Sequence, residues 1–478
     1  MKNFIKAISA ALCAAMVCTA AISCSGKKND EVDPQGRRIL KFEFLKAGFG
    51  TEVYEKLADA YMAEHKDVLI KLIPNVNVNS TTATKLEANN NVADLYSIRD
   101  MGEIRRYAVK GWVEDLTPLL DEKVSEDLTL RDSLTGNAVG VSSYQGKLYA
   151  VPEYTSISGF CYNKGMFEQY GWKIPETTEE LESLCKQIKK DTNGTVAPIV
   201  YCGAAADGYL YIPTNNWISM YEGIDNLNKF YAMDSAEVYN PANSQGKLHA
   251  LETLKKFYFD NDGEYCMDKS MGKSHITAQT DLIQGKVAMM ANGSWLQNEM
   301  KSVLAKNPTF RLGMFKFPEY SENGVIKHAD GYTTEDGKSV LNCGFGANYF
   351  VPKNAANKAD ALDFLKFINR PDICVLYTQY SNAVRPLTYN LDSSTADYKD
   401  MSEYGKDIIS IAQNNYMYQP AQTSPMALTG RLGLWPASGG YWYFKMYNDP
   451  TQFTPAACLE KDYEYAKTNW DEFLKGTT

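Results

Sequence analysis

Histidine is scarce: His65, His249, His275 and His328 are the only four in 478 residues, none in an HExxH pattern and none beside a cysteine at metal-ligand spacing. No metal and no other cofactor is therefore expected. Ten cysteines are present without any CxxC, and beyond residue 24 seven remain, at 161, 185, 202, 266, 343, 374 and 458. An odd set cannot pair fully within one chain, so most are expected to be small buried hydrophobes, as suits a reducing or anaerobic habitat. A basic excess is missing too. With 49 Lys and Arg against 58 Asp and Glu, net −9 and pI about 5.2, the chain lacks the positive stripe that a nucleic-acid backbone requires. No GxSxG occurs, so nucleophilic-serine chemistry has no support, and there is no repeat of solenoid period and no low-complexity block.

Two near-motifs dissolve on counting. Residues 331–339, GYTTEDGKS, resemble a phosphate loop, but five residues separate Gly331 from Gly337 where the motif needs four, and a strand pattern follows. Residues 260–263, DNDG, suggest calcium, but with Gly263 as sixth loop position the first and twelfth are Tyr258 and Lys269, where carboxylates are required. Three stretches, at Asn79, Asn193 and Asn292, match the glycosylation sequon, which would be irrelevant in a bacterial lipoprotein.

What is present begins with a processing segment. Lys2 and Lys6 precede an apolar run over 7–22, too short to span a bilayer comfortably, and a small-residue exit ends at Cys24. Residues 1–24 are thus expected to be a signal peptide, and the Cys24 context resembles a lipoprotein signal in which that cysteine becomes lipidated. Residues 25–38, SGKKNDEVDPQGRR, are almost free of apolar side chains and are expected to be a flexible tether.

The remainder exceeds what one hydrophobic core usually fills, so two domains are expected. Strand and helix patterns alternate from residue 39: strand-like alternation at 39–45, 68–73 and 93–98, helical stripes between them, then a capped helix from Thr177 and a closing one from Thr454–Pro455. Such alternation predicts α/β lobes with mainly parallel sheets flanked by helices, in which ligands sit beyond the carboxyl ends of the strands. That geometry singles out the loops at 48–52 and 97–100. Aromatics are abundant, with 32 Tyr, 19 Phe and 7 Trp, many beside glycine, the densest group being LWPASGGYWY at 434–443. Flat rings beside small residues suit the apolar faces of sugars, although any one of them alone fits an ordinary core equally well.

The stretch 144–167, YQGKLYAVPEYTSISGFCYNKGMF, holds two strand-like runs split by 153–158, as a chain does when it passes between two bodies. Its Gly-Lys-Leu-Tyr-x-Val-Pro followed by Tyr-Asn-Lys-x-x-Phe is similar to the crossover of extracellular solute-binding proteins of ABC importers, the maltose-binding-protein type of family 1. Further stretches resemble that family in order along the chain: 48–61, 93–95 with 109–116, 285–295, and 350–354 with 361–368. The resemblance implies a two-lobed periplasmic-binding-protein type II fold closing by hinge bending. Lobe 1 is expected at 39–150 plus 346–388, and lobe 2 at 151–345 plus 389–478. It also implies Trp295 as a ring-stacking residue, Tyr209 or Tyr211 as a second-lobe aromatic, and Trp435, Tyr441 and Trp442 as a late aromatic group. The maltose-type tryptophan is absent from the third-strand loop, where SIRD stands at 97–100, so maltodextrin is not indicated.

With Phe49, Glu52, Arg99, Asp100, Tyr154, Asp207, Asn348 and Arg385 as further contacts, the expected protein is a non-catalytic, lipid-anchored monomer. It would capture a carbohydrate outside the cytoplasmic membrane and pass it to permease subunits, with no nucleic acid involved. Two rivals come from other classes. A secreted glycoside hydrolase would need two carboxylates facing each other across a cleft, and a glycan-capturing surface lipoprotein would have no transporter.

Overall fold

A computed structural model describes residues 32–205, 209–260, 264–334, 337–392, 395–422, 424–429, 431–435 and 442–475. The expected signal peptide with Cys24, the expected tether through residue 31, Asp207, Tyr441 and the side chain of Trp442 lie outside the described residues.

Nine strands build two sheets: β1 Arg38–Leu45, β2 Val68–Asn75, β3 Leu95–Ile98, β4 Val151–Thr155, β5 Ser158–Asn163, β6 Ala197–Val200, β7 Val287–Gly293, β8 Leu312–Phe315 and β9 Phe345–Phe350. The first sheet runs β2-β1-β3-β9-β4 and the second β8-β5-β7-β6. This is the expected two-lobed α/β fold. Each sheet contains one strand that opposes the rest. β9 is antiparallel to β3 and β4, and β5 is antiparallel to β7 and β8, whereas β1 runs parallel to β2 and β3, and β6 to β7. The opposed strands are those by which the chain enters a lobe from the hinge. All the others therefore point their carboxyl ends at the hinge and the cleft.

Patterning explains the elements. On β1, Leu40, Phe42 and Phe44 are fully buried, as alternation requires, and Glu43 on the other face is buried by pairing with Lys85 at 2.6 Å. The helix Glu52–Glu64 buries Val53, Tyr54, Leu57, Ala58 and Tyr61 along one stripe. Thr177 accepts from the Glu180 amide to start Thr178–Asp191, and Thr454 with Pro455 starts Pro455–Leu474. The seven described cysteines are all free, and all but Cys266 are buried. No helix among the described residues is long and apolar enough to cross a membrane.

Two expected boundaries move. Val151–Thr155 belongs to the first sheet, so the first crossing comes after Thr155 and not at residue 150. Pro152 suggested a break, yet β4 is an edge strand, where a missing N–H interrupts no ladder. The tether ends earlier than residue 38. Asp33 accepts from the amides of Gln35 and Arg37 at 3.0 and 2.8 Å, Gly36 turns at φ +80°, and Arg38 already stands in β1 and pairs with Asp67 and Asp360.

Candidate functional site

The carboxyl ends of strands from both sheets converge on a cavity of about 740 Å³. Lys46 and Gly48 follow β1, Val76 follows β2, Arg99 follows β3, Tyr154 lies on β4, and Gly346 lies on β9. Across from them Tyr209 and Tyr211 follow β6, and Trp295, Asn298 and Glu299 follow β7, with Ser156 in the crossing. This is the position that the topology of open α/β sheets assigns to ligands.

Two rings owe their places to glycines. A side chain at Gly293 would put its Cβ 2.0 Å from the Trp295 indole, and one at Gly346 would put it 2.0 Å from the Tyr154 ring. Gly48, from the opposite lobe, approaches the same indole closely enough that an added Cβ would lie 3.0 Å from the Trp295 Cβ. Trp295 accordingly packs against the hydrophobic cores of both lobes. Phe49 meets the Tyr154 ring edge-on at 4.7 Å. Burial pushes the Tyr154 phenol up, and the Arg99 charge pulls it back.

Behind Tyr154 the neighbouring residue anchors the strand. Glu153 is fully buried and accepts from the Tyr54 hydroxyl at 2.7 Å, the Tyr377 hydroxyl at 3.0 Å and the Ser97 hydroxyl. Burial raises its carboxyl, while those hydroxyls and the nearby Arg385 charge oppose the rise. β4 is thereby tied to the helices Glu52–Glu64 and Pro371–Ser381 through hydrogen bonds that no apolar core could supply.

Of the sequence-predicted residues, Arg99, Tyr154, Tyr209, Tyr211 and Trp295 share this cavity. Arg99 also lines a smaller one of about 310 Å³, which holds Asp100 and Asn348. Phe49 and Glu52 line a third cavity of about 690 Å³, with Lys301, Tyr380 and Tyr404 on its other walls. That one lies beside the hinge: Asn298 donates to the Tyr380 and Ser381 carbonyls, and Lys301 bridges to Glu52 at 2.8 Å. Asn298, Lys301, Asn382 and Ser402 are engaged in interlobe pairs there, Arg311 is held by Glu403, and none of the three tyrosines nor Trp295 reaches it, so the 740 Å³ cavity is the better ligand site.

Two predicted contacts lie elsewhere. Arg385 is 1% exposed, inside the first lobe, where its guanidinium donates to the Ile368 carbonyl at 2.6 Å, Asn369 Oδ1 at 2.7 Å and the Pro152 carbonyl at 3.3 Å. It lies over the rings of Tyr349 and Tyr377, so it braces the sheet. Trp435 donates to Asn215 and packs on the second lobe's core, away from the three cavity walls. Sequence reading missed Lys46, Ser156, Asn298, Glu299 and Gly346. The strand-end rule could have found Lys46, one residue past β1, but pairing β9 beside β4 was needed to find Gly346. Among the described residues no group of acidic, histidine or cysteine side chains could hold a metal.

Comparison with known proteins gives the family. The chain is 25% identical over 182 residues to the melibiose/raffinose/stachyose-binding protein MelE of Bacillus subtilis, covering 38% of this chain and 39% of that one. It is 20% identical over 365 residues to the diacetylchitobiose binding protein NgcE of Streptomyces coelicolor, covering 72% of each. For MelE and for the multiple sugar-binding protein of Streptococcus mutans, the match spans only about two fifths of their length, 39% and 40%. Among solved structures, apo RafE of Streptococcus pneumoniae superposes with a TM-score of 0.64 at 16% identity, over 92% of this chain and 99% of that one. The maltotriose-bound maltose/maltodextrin-binding domain MalE of Bdellovibrio bacteriovorus superposes with a TM-score of 0.62 at 15% identity, over 91% and 100%. Residues 50–373 match the model of the bacterial extracellular solute-binding protein, and the chain belongs to that family.

Proposed function

We propose that this protein is a non-catalytic receptor that captures a carbohydrate between its lobes and delivers it to the permease of an ABC importer. The observation that carries the reading is the 740 Å³ cavity at the strand ends, where Trp295, Tyr209 and Tyr211 from one lobe face Tyr154 and Arg99 from the other. Rings offer apolar faces to sugar rings, and the tyrosine hydroxyls offer partners to sugar hydroxyls. The sugars printed in the names of MelE and NgcE point to the same ligand class. Lobe 1 is taken as 38–155 plus 345–388 and lobe 2 as 156–344 plus 389–475. Ligand bridging the two favours the closed form, and the permease reads closure.

Export with lipidation at Cys24 would hold a monomer at the outer face of the cell membrane, with residues 25–31 as spacer. A hydrolase is disfavoured by the acids present. Among the described residues the aromatic cavity offers one carboxylate, Glu299, which accepts from Gln279 at 2.7 Å, where glycoside hydrolysis needs a facing pair.

The test is a thermal-shift screen of the mature chain against neutral and acidic oligosaccharides, followed by small-angle scattering on the hits. Binding raises the melting temperature by mass action and contracts the scattering profile. A melting temperature and profile unmoved by every saccharide would overturn the reading, as would cleavage of any of them on chromatography.

A further inference from the structure

The 310 Å³ cavity adjoining the aromatic one through Arg99 has a second guanidinium on its wall, Arg105, together with Asp100, Asn348, Gln419 and Gln422. Arg105 is 3% exposed. Its two terminal nitrogens donate to the main-chain carbonyls of Gln422 and Val141, and its Nε has no partner. Carbonyls offer only partial charge, so a buried guanidinium served by them alone lacks a full counter-charge. Burial lowers its pKa, and Asp100 acts against this only through space.

Asp100 is otherwise engaged. One carboxylate oxygen accepts from the amides of Gly102 and Glu103 at 2.8 and 3.2 Å, and the other lies 3.9 Å from Arg106. Neither Arg99 nor Arg105 is in an ion pair among the described residues, and on the same wall Asn348, 1% exposed, has an Oδ1 with no donor. In the aromatic cavity Lys46 also makes no ion pair, while Glu299 is held by Gln279. The two cavities thus present Lys46, Arg99 and Arg105 against Asp100 and Glu299, in a chain whose net charge is −9.

We propose that the captured saccharide is acidic: one sugar unit rests on Trp295 and the tyrosines while the adjoining unit places a carboxylate or sulfate between Arg99 and Arg105. The inference rests on the saccharide-receptor reading above and narrows its substrate class. Guanidinium N–H groups match the oxygens of such anions in pairs, and a bound anion supplies the counter-charge that Arg105 lacks. Asn348 Oδ1 takes a hydroxyl donor from the same unit.

Titration calorimetry of the mature protein at neutral pH tests this with three probes: a trigalacturonide, neocarrabiose 4-sulfate, which carries a sulfate and no carboxylate, and neutral raffinose. At least one acidic probe should bind about tenfold or more tighter than raffinose, and the advantage should shrink in high salt. Arg99 is exposed, so Arg99→Gln is expected to fold, which its melting curve checks. That variant should cost the favoured acidic probe about tenfold more than it costs raffinose. The carboxylate and sulfate arms identify which anion is read. Raffinose binding as well as or better than both acidic probes, or equal losses on Arg99→Gln, overturns the inference and leaves the saccharide reading intact. If no saccharide of either charge binds, both are overturned.

Discussion

In the first lobe a carboxylate, Glu153, is buried beneath three hydroxyls and beside a guanidinium, whereas the second lobe buries an ammonium, Lys247, beneath the rings of Phe230, Tyr239 and Trp435 at 4.8, 5.0 and 5.8 Å. The cleft walls of the two lobes differ as well. Lobe 1 brings cations and glycines to the cleft on strand ends: Lys46, Arg99, Gly48 and Gly346. Lobe 2 brings rings on loops and a helix start, with Tyr209 at φ +62° and Tyr211 38% exposed. Hydrogen bonds to Glu153 are directional and fix one geometry, while ring packing around Lys247 tolerates small shifts. Lobe 1 thus offers a rigid polar wall braced by Glu153, and lobe 2 an aromatic wall carried on loops.

The largest effect should come from breaking the lobe 1 anchor. Glu153→Ala leaves the hydroxyls of Tyr54, Ser97 and Tyr377 without their shared acceptor and Arg385 without its nearby charge, for a loss of about 3–5 kcal/mol in urea unfolding. A loss below about 1 kcal/mol would show that the hub does not brace β4. The pH dependence has a definite sign. The folded carboxyl titrates above its ordinary 4.5, so its contribution to stability is complete below that value and is lost as pH rises through the raised one. Glu153→Gln, which cannot ionise, should remove that slope.

Lys247 should respond in the opposite direction. Burial pushes its ammonium down to about 8 from an ordinary 10.5, so the folded chain holds that proton less tightly than the unfolded chain. Stability is therefore penalised below pH 8 and recovers as pH rises from 8 toward 10.5. Lys247→Met keeps the chain length without the charge and should stabilise the protein at pH 7 by on the order of 2 kcal/mol. The gain should fade toward zero above pH 10, as parallel denaturation series would show. A constant gain across that range would mean that packing, and not desolvation, sets the effect.

Legibility from the sequence followed the same division. Elements built on apolar period were read directly: Leu40, Phe42 and Phe44 on β1, the Thr177-capped helix, and the Gly285 to Trp295 stretch that ends at the cavity. The two-lobed fold came from the order of such stretches. What failed depended on strand partners. Pro152 could not be placed on an edge, nor Arg385 inside a lobe, without knowing that β9 separates β3 from β4. The Glu153 hub gathers residues from positions 54, 97 and 377, which no local pattern connects. One local signal was simply overlooked. Asn323-Gly324, with φ of +52° and +73°, forms the tight turn of the hairpin Ser321–Glu322 and Val325–Ile326.

The smallest effect is also the most telling for the contrast between the walls. Trp295 is set on the lobe 2 side but touches Gly48 of lobe 1, so it reports both on sugar stacking and on closure. Trp295→Ala should weaken saccharide binding by more than about tenfold, or ~1.4 kcal/mol, with little change in the melting temperature of the free protein, since the side chain is only half-buried. Tyr154→Phe, on the rigid wall, keeps the ring and loses only a hydroxyl, so its cost should stay near the ~1 kcal/mol of a single hydrogen bond. If calorimetry ranked Tyr154→Phe above Trp295→Ala, affinity would reside in the polar wall, and lobe 2 would serve only to cover a ligand already held by lobe 1.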